Sequence, residues 1–581
     1  MNERKRLCLN KATVSFILFA VFCILTALTL EKLCGGTFYN NDDVLMRSIA
    51  EGTFTGTPDG HLIYIMYVLG SLIAGLYKCI PRVNWYDLIA LGFHITSMSA
   101  MAAGIVLFFD KKFNQVIASA VSYLLLMGID LSMMVDSRYT IISAILFSAG
   151  IVYMVSCIRK KETFCLILSI FFLTCSLWYR KEVFLMGVPI ALVALLFTML
   201  NRGLSDIIKK VLAFLIPFAS IVVISFFIEH IAYSSDDWKY YLEFNKSRTD
   251  LEDYVGVPVY EFSEDAYKSI SLTKADSMVL SRHDISFVDD YTLETSKVLA
   301  DASKSYVDSA NEDRGVGYLL SRVKKEFKNT WNQPIVIALF GVGLIGMLFY
   351  VLNRHWVSLL SILALYAYQL VFSCYFLYKD RFPERVWYGL YFMLLTALSV
   401  ILIWEVLTIS IKGKSKIIAC ISIAVLLIFF FKYCVGVQNY RINYYYKDLY
   451  ADAIEASAVL YEYCLENSDN YYLLDSSVTK NLADTMVSNE YKDTDNQIPL
   501  SYWTNGSPLF EKKKENAGME SLSEALISRD DVFLIQKESD NTDWLLDYYN
   551  SNGTKVTLTV EDSFAIGNDT AVVLQVTATG A

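Results

Sequence analysis

Long apolar stretches separated by short polar connectors dominate the chain, and the pattern predicts membrane-spanning helices. Ala12–Leu30, Val211–Glu229 and Trp387–Leu407 are examples. Each is close to the ~20 residues a helix needs to cross ~30 Å of hydrocarbon. Helices are required there, because every backbone amide in lipid must be paired within its own segment. The first run follows Met-Asn-Glu-Arg-Lys-Arg and is bounded by Glu31-Lys32-Leu33. It is too long for a secretory h-region and offers no small-residue cleavage site, so it reads as an uncleaved first span.

Lysine and arginine in short loops mark the cytoplasmic side. The clusters are Arg4-Lys5-Arg6, Lys111-Lys112, Arg159-Lys160-Lys161, Arg202 with Lys209-Lys210, and Lys412, Lys414 and Lys416. An even number of crossings must separate any two of them. Five apolar runs lie between the N-terminus and Arg159, at 12–30, 61–79, 88–109, 116–131 and 137–156. Five is odd, so one run does not cross. Assigning His61–Cys79 to a membrane-skimming segment puts every later cluster inside. Twelve apolar runs thereby become about eleven spans, with a cytoplasmic N-terminus. The basic run 322–328 falls on the outer side, but long loops are largely exempt from the charge rule.

The outer face then carries residues 31–87, the turn Asp130–Arg138, the corner Trp178–Lys181, the loop 231–330, the turn Lys379–Arg385 and the tail from about 436. Four regions follow: a membrane module, 1–230, with an outer loop at 31–87; a helical outer loop, 231–330; further spans, 331–435; and a soluble domain, 436–581. Short helices are expected at Ala275–Leu280 and Thr292–Ser309. In the last region a helix over Tyr446–Glu466 precedes strand-like runs at Tyr471–Leu474, Val532–Gln536, Lys555–Val560 and Ala571–Val576. The last two can pair as a hairpin across Ile566-Gly567-Asn568-Asp569. The expected fold is an all-α polytopic membrane domain with a small extracytoplasmic α/β or α+β domain.

Composition agrees with this class. Of 581 residues, 55% are hydrophobic and 19% charged, and the mean hydropathy is +0.39. That is too little charge for a soluble surface of this size. The formal charge of −10 is concentrated in 231–330 and 436–581, so the lipid bilayer is a partner and nucleic acid is not. The eleven cysteines sit mostly in apolar runs and read as small buried hydrophobes. Ionisable residues are scarce within the spans: Glu405 lies near a cytoplasmic end, and His94 reads as a hydrogen-bonded packing residue. That scarcity argues against ion-coupled transport and moves attention to the outer face.

There, Asn40-Asn41-Asp42-Asp43 precedes an amphipathic segment, Val44–Ala50. Asp42 or Asp43 can cap that helix. Either can equally act as a general base at the lipid–water boundary, deprotonating an acceptor hydroxyl. Arg138 in Asp136-Ser-Arg, Arg180-Lys181, and Lys379, Arg381 and Arg385 all fall at outer span ends. Each can be a snorkelling anchor. Converging on one interface, they would suit a lipid-linked phosphate.

This order of features resembles the GT-C superfamily of membrane glycosyltransferases, which includes protein O-mannosyltransferases and aminoarabinose transferases. Asp42-Asp43 matches the acidic motif after the first span, and Ile63–Tyr77 the skimming helix. Asp136 matches the second outer turn and Arg180-Lys181 a basic corner. The resemblance covers roughly residues 1–230; beyond that only the general architecture agrees. It implies transfer of a sugar from a polyprenyl-phosphate donor to a glycan or lipid-linked acceptor outside the cell membrane. One base opposite a phosphate leaving group implies inversion. Asp42, Asp43 and Asp136 are the catalytic candidates. His61, Arg138, Arg180, Lys181, Lys379, Arg381 and Arg385 are candidates for binding the lipid phosphate. A divalent metal is left open, with His61 its nearest candidate ligand. A multi-span polysaccharide polymerase or ligase, and a non-enzymatic membrane protein with a ligand-binding outer domain, are the rival readings.

Overall fold

The computed structural model describes residues 2–34, 38–39, 41–160, 163–200, 204–310, 314–406, 414–486 and 491–579. The first nine helices are α1 (Asn2–Cys34), α2 (Asn41–Glu51), α3 (Tyr67–Cys79), α4 (Trp85–Gly104), α5 (Lys112–Val135), α6 (Tyr139–Lys160), α7 (Thr163–Tyr179), α8 (Lys181–Leu200) and α9 (Leu204–Ala232). The loop that follows folds into α10 (Asp236–Thr249), α11 (Glu264–Ser269), α12 (Lys274–Ser281), α13 (Leu293–Ala310) and α14 (Val316–Thr330). Four more long helices complete the membrane region: α15 (Pro334–Asn353), α16 (Trp356–Tyr378), α17 (Glu384–Val406) and α18 (Lys414–Tyr440).

Ten of these helices are long and apolar enough to cross a membrane. α7, an apolar helix of 17 residues, joins two of them and reaches the lower limit of span length, so that eleven helices among the described residues fit a crossing. α3 has only 13 residues, or ~20 Å at 1.5 Å per residue, too short to span. Its first amide, Tyr67 N, donates to Glu229 Oε2 at 2.7 Å, and Met66 N donates to the Trp178 carbonyl at 2.8 Å. α3 thus packs beside the ends of α7 and α9.

Eleven alternating crossings put the connectors into two groups, and contacts within each group agree. On one face Lys11 Nζ donates to the Phe109 carbonyl at 3.0 Å. On the other, Arg138 Nη2 donates to Tyr450 Oη at 3.3 Å, Arg441 Nη1 to Gln333 Oε1 at 2.9 Å, and Arg381 pairs with Asp253 at 3.0 Å. The basic run at 322–328 also lies on this second face, where Arg322 pairs with Asp380.

The centre of the bundle is α6, which packs on α4, α7, α8 and α17. Close approach there depends on small residues: a Cβ at Gly187 would stand 2.5 Å from the Phe147 ring, and one at Gly150 2.5 Å from Leu173. One polar cluster interrupts this core. His94 Nε2 lies 2.6 Å from Asp130 Oδ2, and Tyr388 Oη donates to Asp130 Oδ1 at 2.6 Å. The sequence places Asp130 at the start of an outer turn. The structure corrects this, because α5 continues to Val135 and buries Asp130 between helices, where His94 and Tyr388 satisfy its oxygens.

The C-terminal region begins with α19 (Lys447–Glu466) and contains a five-stranded sheet. Its strands are β2 (Tyr471–Leu474), β4 (Gln497–Pro499), β5 (Val532–Lys537), β6 (Val556–Ile566) and β7 (Asp569–Ala578). A separate short ladder pairs β1 (Phe38–Tyr39) with β3 (Asp484–Thr485), antiparallel. The order in the large sheet is β4-β2-β5-β7-β6, with β4, β2 and β5 parallel and the β6–β7 hairpin antiparallel. The hairpin closes at Ile566 opposite Asp569, the turn read from Gly567-Asn568.

Candidate functional site

α2 sits between the bundle and the C-terminal domain, and its positions Asp43–Ala50 are buried. Val44, Leu45, Met46 and Ile49 supply the apolar contacts. Arg47 is wholly buried. It pairs with Asp87 of α4 at 3.4 Å and with Asp484 of β3, and it donates to the Tyr491 carbonyl at 3.2 Å. These contacts fix the first turn of α2, which presents Asp42 and Asp43. Both acids lie inside the first turn rather than at the cap the sequence suggested, and carboxylates there interact favourably with the helix dipole.

The two acids have different surroundings. Asp43 is buried and accepts a hydrogen bond from Tyr86 Oη at 2.9 Å. Burial holds its carboxyl well above the usual range, and the charges of Asp42 and Asp136 push the same way. Asp42 is only partly buried and accepts from Tyr139 Oη at 3.2 Å. Burial raises its carboxyl too, but Arg385, the Tyr139 hydroxyl and Arg180 oppose that rise. Arg385 and Arg180 thus act on Asp42, and Arg138 on Asp43. Asp136, just beyond α5, is buried and held by both ends of Arg138, at 3.0 Å from Nε and 2.6 Å from Nη2.

The cations come from three span ends. Arg180 lies between α7 and α8 and pairs with Glu182 at 2.9 Å. Its guanidinium carbon is 4.9 Å from the centre of the Tyr64 ring and 5.1 Å from that of Tyr139. Those rings are parallel and 5.5 Å apart, an aromatic support for a fixed cation. Tyr64 follows Ile63, which has φ of +54°, a costly conformation for a β-branched residue and one that clusters at functional sites. Arg385 stands in the first turn of α17. Its turn is anchored by Asp380, itself at φ +54°, which pairs with Arg314 at 3.1 Å and Arg322 at 2.5 Å. Arg385 makes no hydrogen bond or ion pair among the described residues, although its charge acts on Asp42.

The site thus joins Asp42, Asp43, Asp136, Arg138, Arg180 and Arg385. The remaining candidates stand apart. His61 is engaged at both nitrogens, by Asp59 Oδ1 at 2.6 Å and the Ala232 carbonyl at 3.2 Å, and it stacks on Trp238 at 4.4 Å. Lys181 is exposed, and its charge acts on Glu229. Lys379 is exposed on the turn after α16. Arg381 turns to the outer loop, pairing with Asp253 and lying 4.2 Å over the Tyr254 ring. Among the described residues, no three His, Cys, Asp or Glu side chains are grouped to hold a metal ion. Of the three carboxylates in the site, Asp43 is engaged by Tyr86 and Asp136 by Arg138.

Several site residues escape the sequence. Tyr64, Tyr86 and Tyr139 are ordinary aromatics until the fold stacks or bonds them. Glu384 and Arg441 form an ion pair of 2.8 Å whose charges both act on Asp136. Arg441 opens a π-helical stretch, Arg441–Tyr446, a rare geometry frequent at functional sites. The usable signal was the tyrosine-rich run directly after the last span. No family model matches this chain, and no curated protein matches it. Among solved structures, the crystal structure of ArnT from Cupriavidus metallidurans bound to undecaprenyl phosphate is similar over 96% of this chain and 97% of that chain. The sequence identity is 10% and the TM-score 0.40.

Proposed function

We propose that this chain is a membrane glycosyltransferase that moves a sugar from a polyprenyl-phosphate donor to a glycan or lipid-linked acceptor. The reaction takes place on the outer face of the cell membrane. The observation that carries this reading is the grouping at one membrane boundary of a partly buried carboxylate, Asp42, bonded by Tyr139, with Arg180, which lies against the same Tyr139 ring, and with Arg385 at the start of α17. Asp42 accepts the proton of the acceptor hydroxyl as its oxygen attacks the anomeric carbon. The new C–O bond forms as the bond from that carbon to the phosphate oxygen breaks. The leaving phosphate takes the electron pair, and Arg180 and Arg385 meet its charge. One displacement inverts the anomeric centre. Asp43, buried against Tyr86, and the Asp136–Arg138 pair position the first turn of α2 and the helix ends around it.

The outer assignment follows from charge. The connectors opposite the site include Lys111-Lys112, Arg159-Lys160 and Arg354, and short basic loops are cytoplasmic. That puts the N-terminus inside and the C-terminal domain outside. The test is a comparison of cells with and without the protein, by mass spectrometry of extracted lipids and linkage analysis of envelope glycans. Loss of the protein is expected to accumulate one polyprenyl-phosphate-linked sugar and to remove that sugar, in the opposite anomeric configuration, from a glycan. Unchanged lipids and glycans contradict the proposal.

A further inference from the structure

A second cleft lies in the C-terminal domain, outside the acid–cation cluster. It has a volume of about 580 Å³ and runs between α19, the 477–482 segment and the tip of the β6–β7 hairpin. That volume is within the ~300–1,000 Å³ typical of small-ligand sites. The cleft is built by docking. Asn568 at the hairpin tip donates to Asp452 of α19. Gly567 has φ of +59°, and a Cβ there would meet the Asp452 carbonyl at 2.9 Å. The opposite wall is tied down as well: Ala483 N donates to Ser457 Oγ of α19 at 3.1 Å.

The lining is half polar and half apolar, and balanced in charge. Lys537 is shared with Asp569 at 3.7 Å, and Asp452 with Asn568. Lys480 and Asn481 are exposed in the cleft wall, and their side chains make no hydrogen bond or ion pair among the described residues. They leave an ammonium and a carboxamide, donors and an acceptor, beside the aromatic ring of Tyr450. A mixed donor–acceptor set with one aromatic wall and no net charge matches a hydroxyl-rich ring. It does not match a strongly charged headgroup. Tyr450 also fixes the direction of the cleft. Its hydroxyl accepts from Arg138, which holds Asp136, and both charges act on Asp43. One end of the cleft therefore adjoins the acid cluster.

We infer that this cleft is a saccharide-binding subsite in which Lys480, Asn481 and Tyr450 hold the acceptor glycan while its reacting end extends towards Asp42. The inference rests on the transferase reading above. The full-length protein, reconstituted in nanodiscs, is applied to a printed array of defined neutral and acidic oligosaccharides as wild type, Lys480→Ala, Asn481→Trp and Asp42→Asn. Wild type and Asp42→Asn are expected to bind the same subset. Lys480→Ala and Asn481→Trp should lose at least about tenfold in affinity, the scale of one or two hydrogen bonds. Both substituted positions are exposed, and an unchanged Tm and gel-filtration profile establishes folding. A wild-type protein that binds no saccharide overturns the inference, as do cleft variants that bind like wild type. Failure of the transferase reading shows differently: saccharides bind, the cleft variants lose them, and Asp42→Asn leaves the envelope glycans unaltered.

Discussion

Arg47 of the helix after the first span and Asp484 of the C-terminal domain form an ion pair in which both side chains are wholly shielded from solvent. The pair joins segments more than four hundred residues apart and pins the helix that presents Asp42. Breaking a buried pair from one side leaves an uncompensated charge, at a cost of about 3–5 kcal/mol. Arg47→Ala is therefore expected to loosen the C-terminal domain, seen as rapid proteolysis between residues 436 and 500 and a lower Tm. The double variant Arg47→Met, Asp484→Leu should recover part of that loss, and an additive double variant contradicts the pairing.

The Asp42 carboxyl is raised by burial, and Arg385 is the largest influence lowering it. A base must be ionised, so the transfer rate is expected to fall as pH drops through the pKa of Asp42. That limb should lie above the usual carboxylate range. Removing the cation raises the pKa further, so Arg385→Gln should move the acid limb to higher pH as well as slow the reaction. A pH–rate profile checks this. A limb that stays in place, or moves to lower pH, contradicts the assignment of Arg385.

Asp493 is buried beside Lys513, 2.9 Å away, and burial raises its carboxyl to about 6. Lys513 also donates to the Phe54 carbonyl at 3.2 Å, so this pair too fastens the C-terminal domain to the outer loop. A folded-state pKa above the unfolded value means that the folded protein binds the proton more tightly. The stabilisation from protonating Asp493 is complete below about 4 and is lost as pH rises through about 6. Asp493→Asn is expected to flatten the pH dependence of Tm in that window. An unaltered slope means that Asp493 is not the titrating group.

Much of this architecture was legible because its signals are local. Span lengths, the Tyr471–Leu474 strand and the Gly567-Asn568 turn need only neighbouring residues. The skimming helix needed one further constraint, the even number of crossings between basic loops. The polar core was not legible. Asp130 reads as a turn residue because its partners, His94 and Tyr388, come from other helices. The separation of Arg381 from Arg385, four residues away, was equally hidden. Asp253, far off in the 231–330 loop, pairs with the first, while the charge of the second acts on Asp42.

Short α3 gives a direct test of the crossing pattern. Single cysteines at Asp59 and Ile80, in a background lacking other cysteines, are expected to react with a membrane-impermeant maleimide added from the same side. Labelling at 59 alone would show that the 61–79 segment crosses, and the sidedness of the site would then be reversed for every later span.

The central claim is that Asp42, rather than Asp43, is the base. Mass spectrometry of polyprenyl-phosphate-linked sugars in cells carrying Asp42→Asn or Asp43→Asn tests it most directly. Loss of a general base costs about 10²–10⁴-fold in rate, so Asp42→Asn should accumulate the donor as fully as deletion of the protein. Asp43→Asn keeps an acceptor for the Tyr86 hydroxyl and should leave the donor pool close to that of wild type. Accumulation in Asp43→Asn with a normal pool in Asp42→Asn would contradict the account.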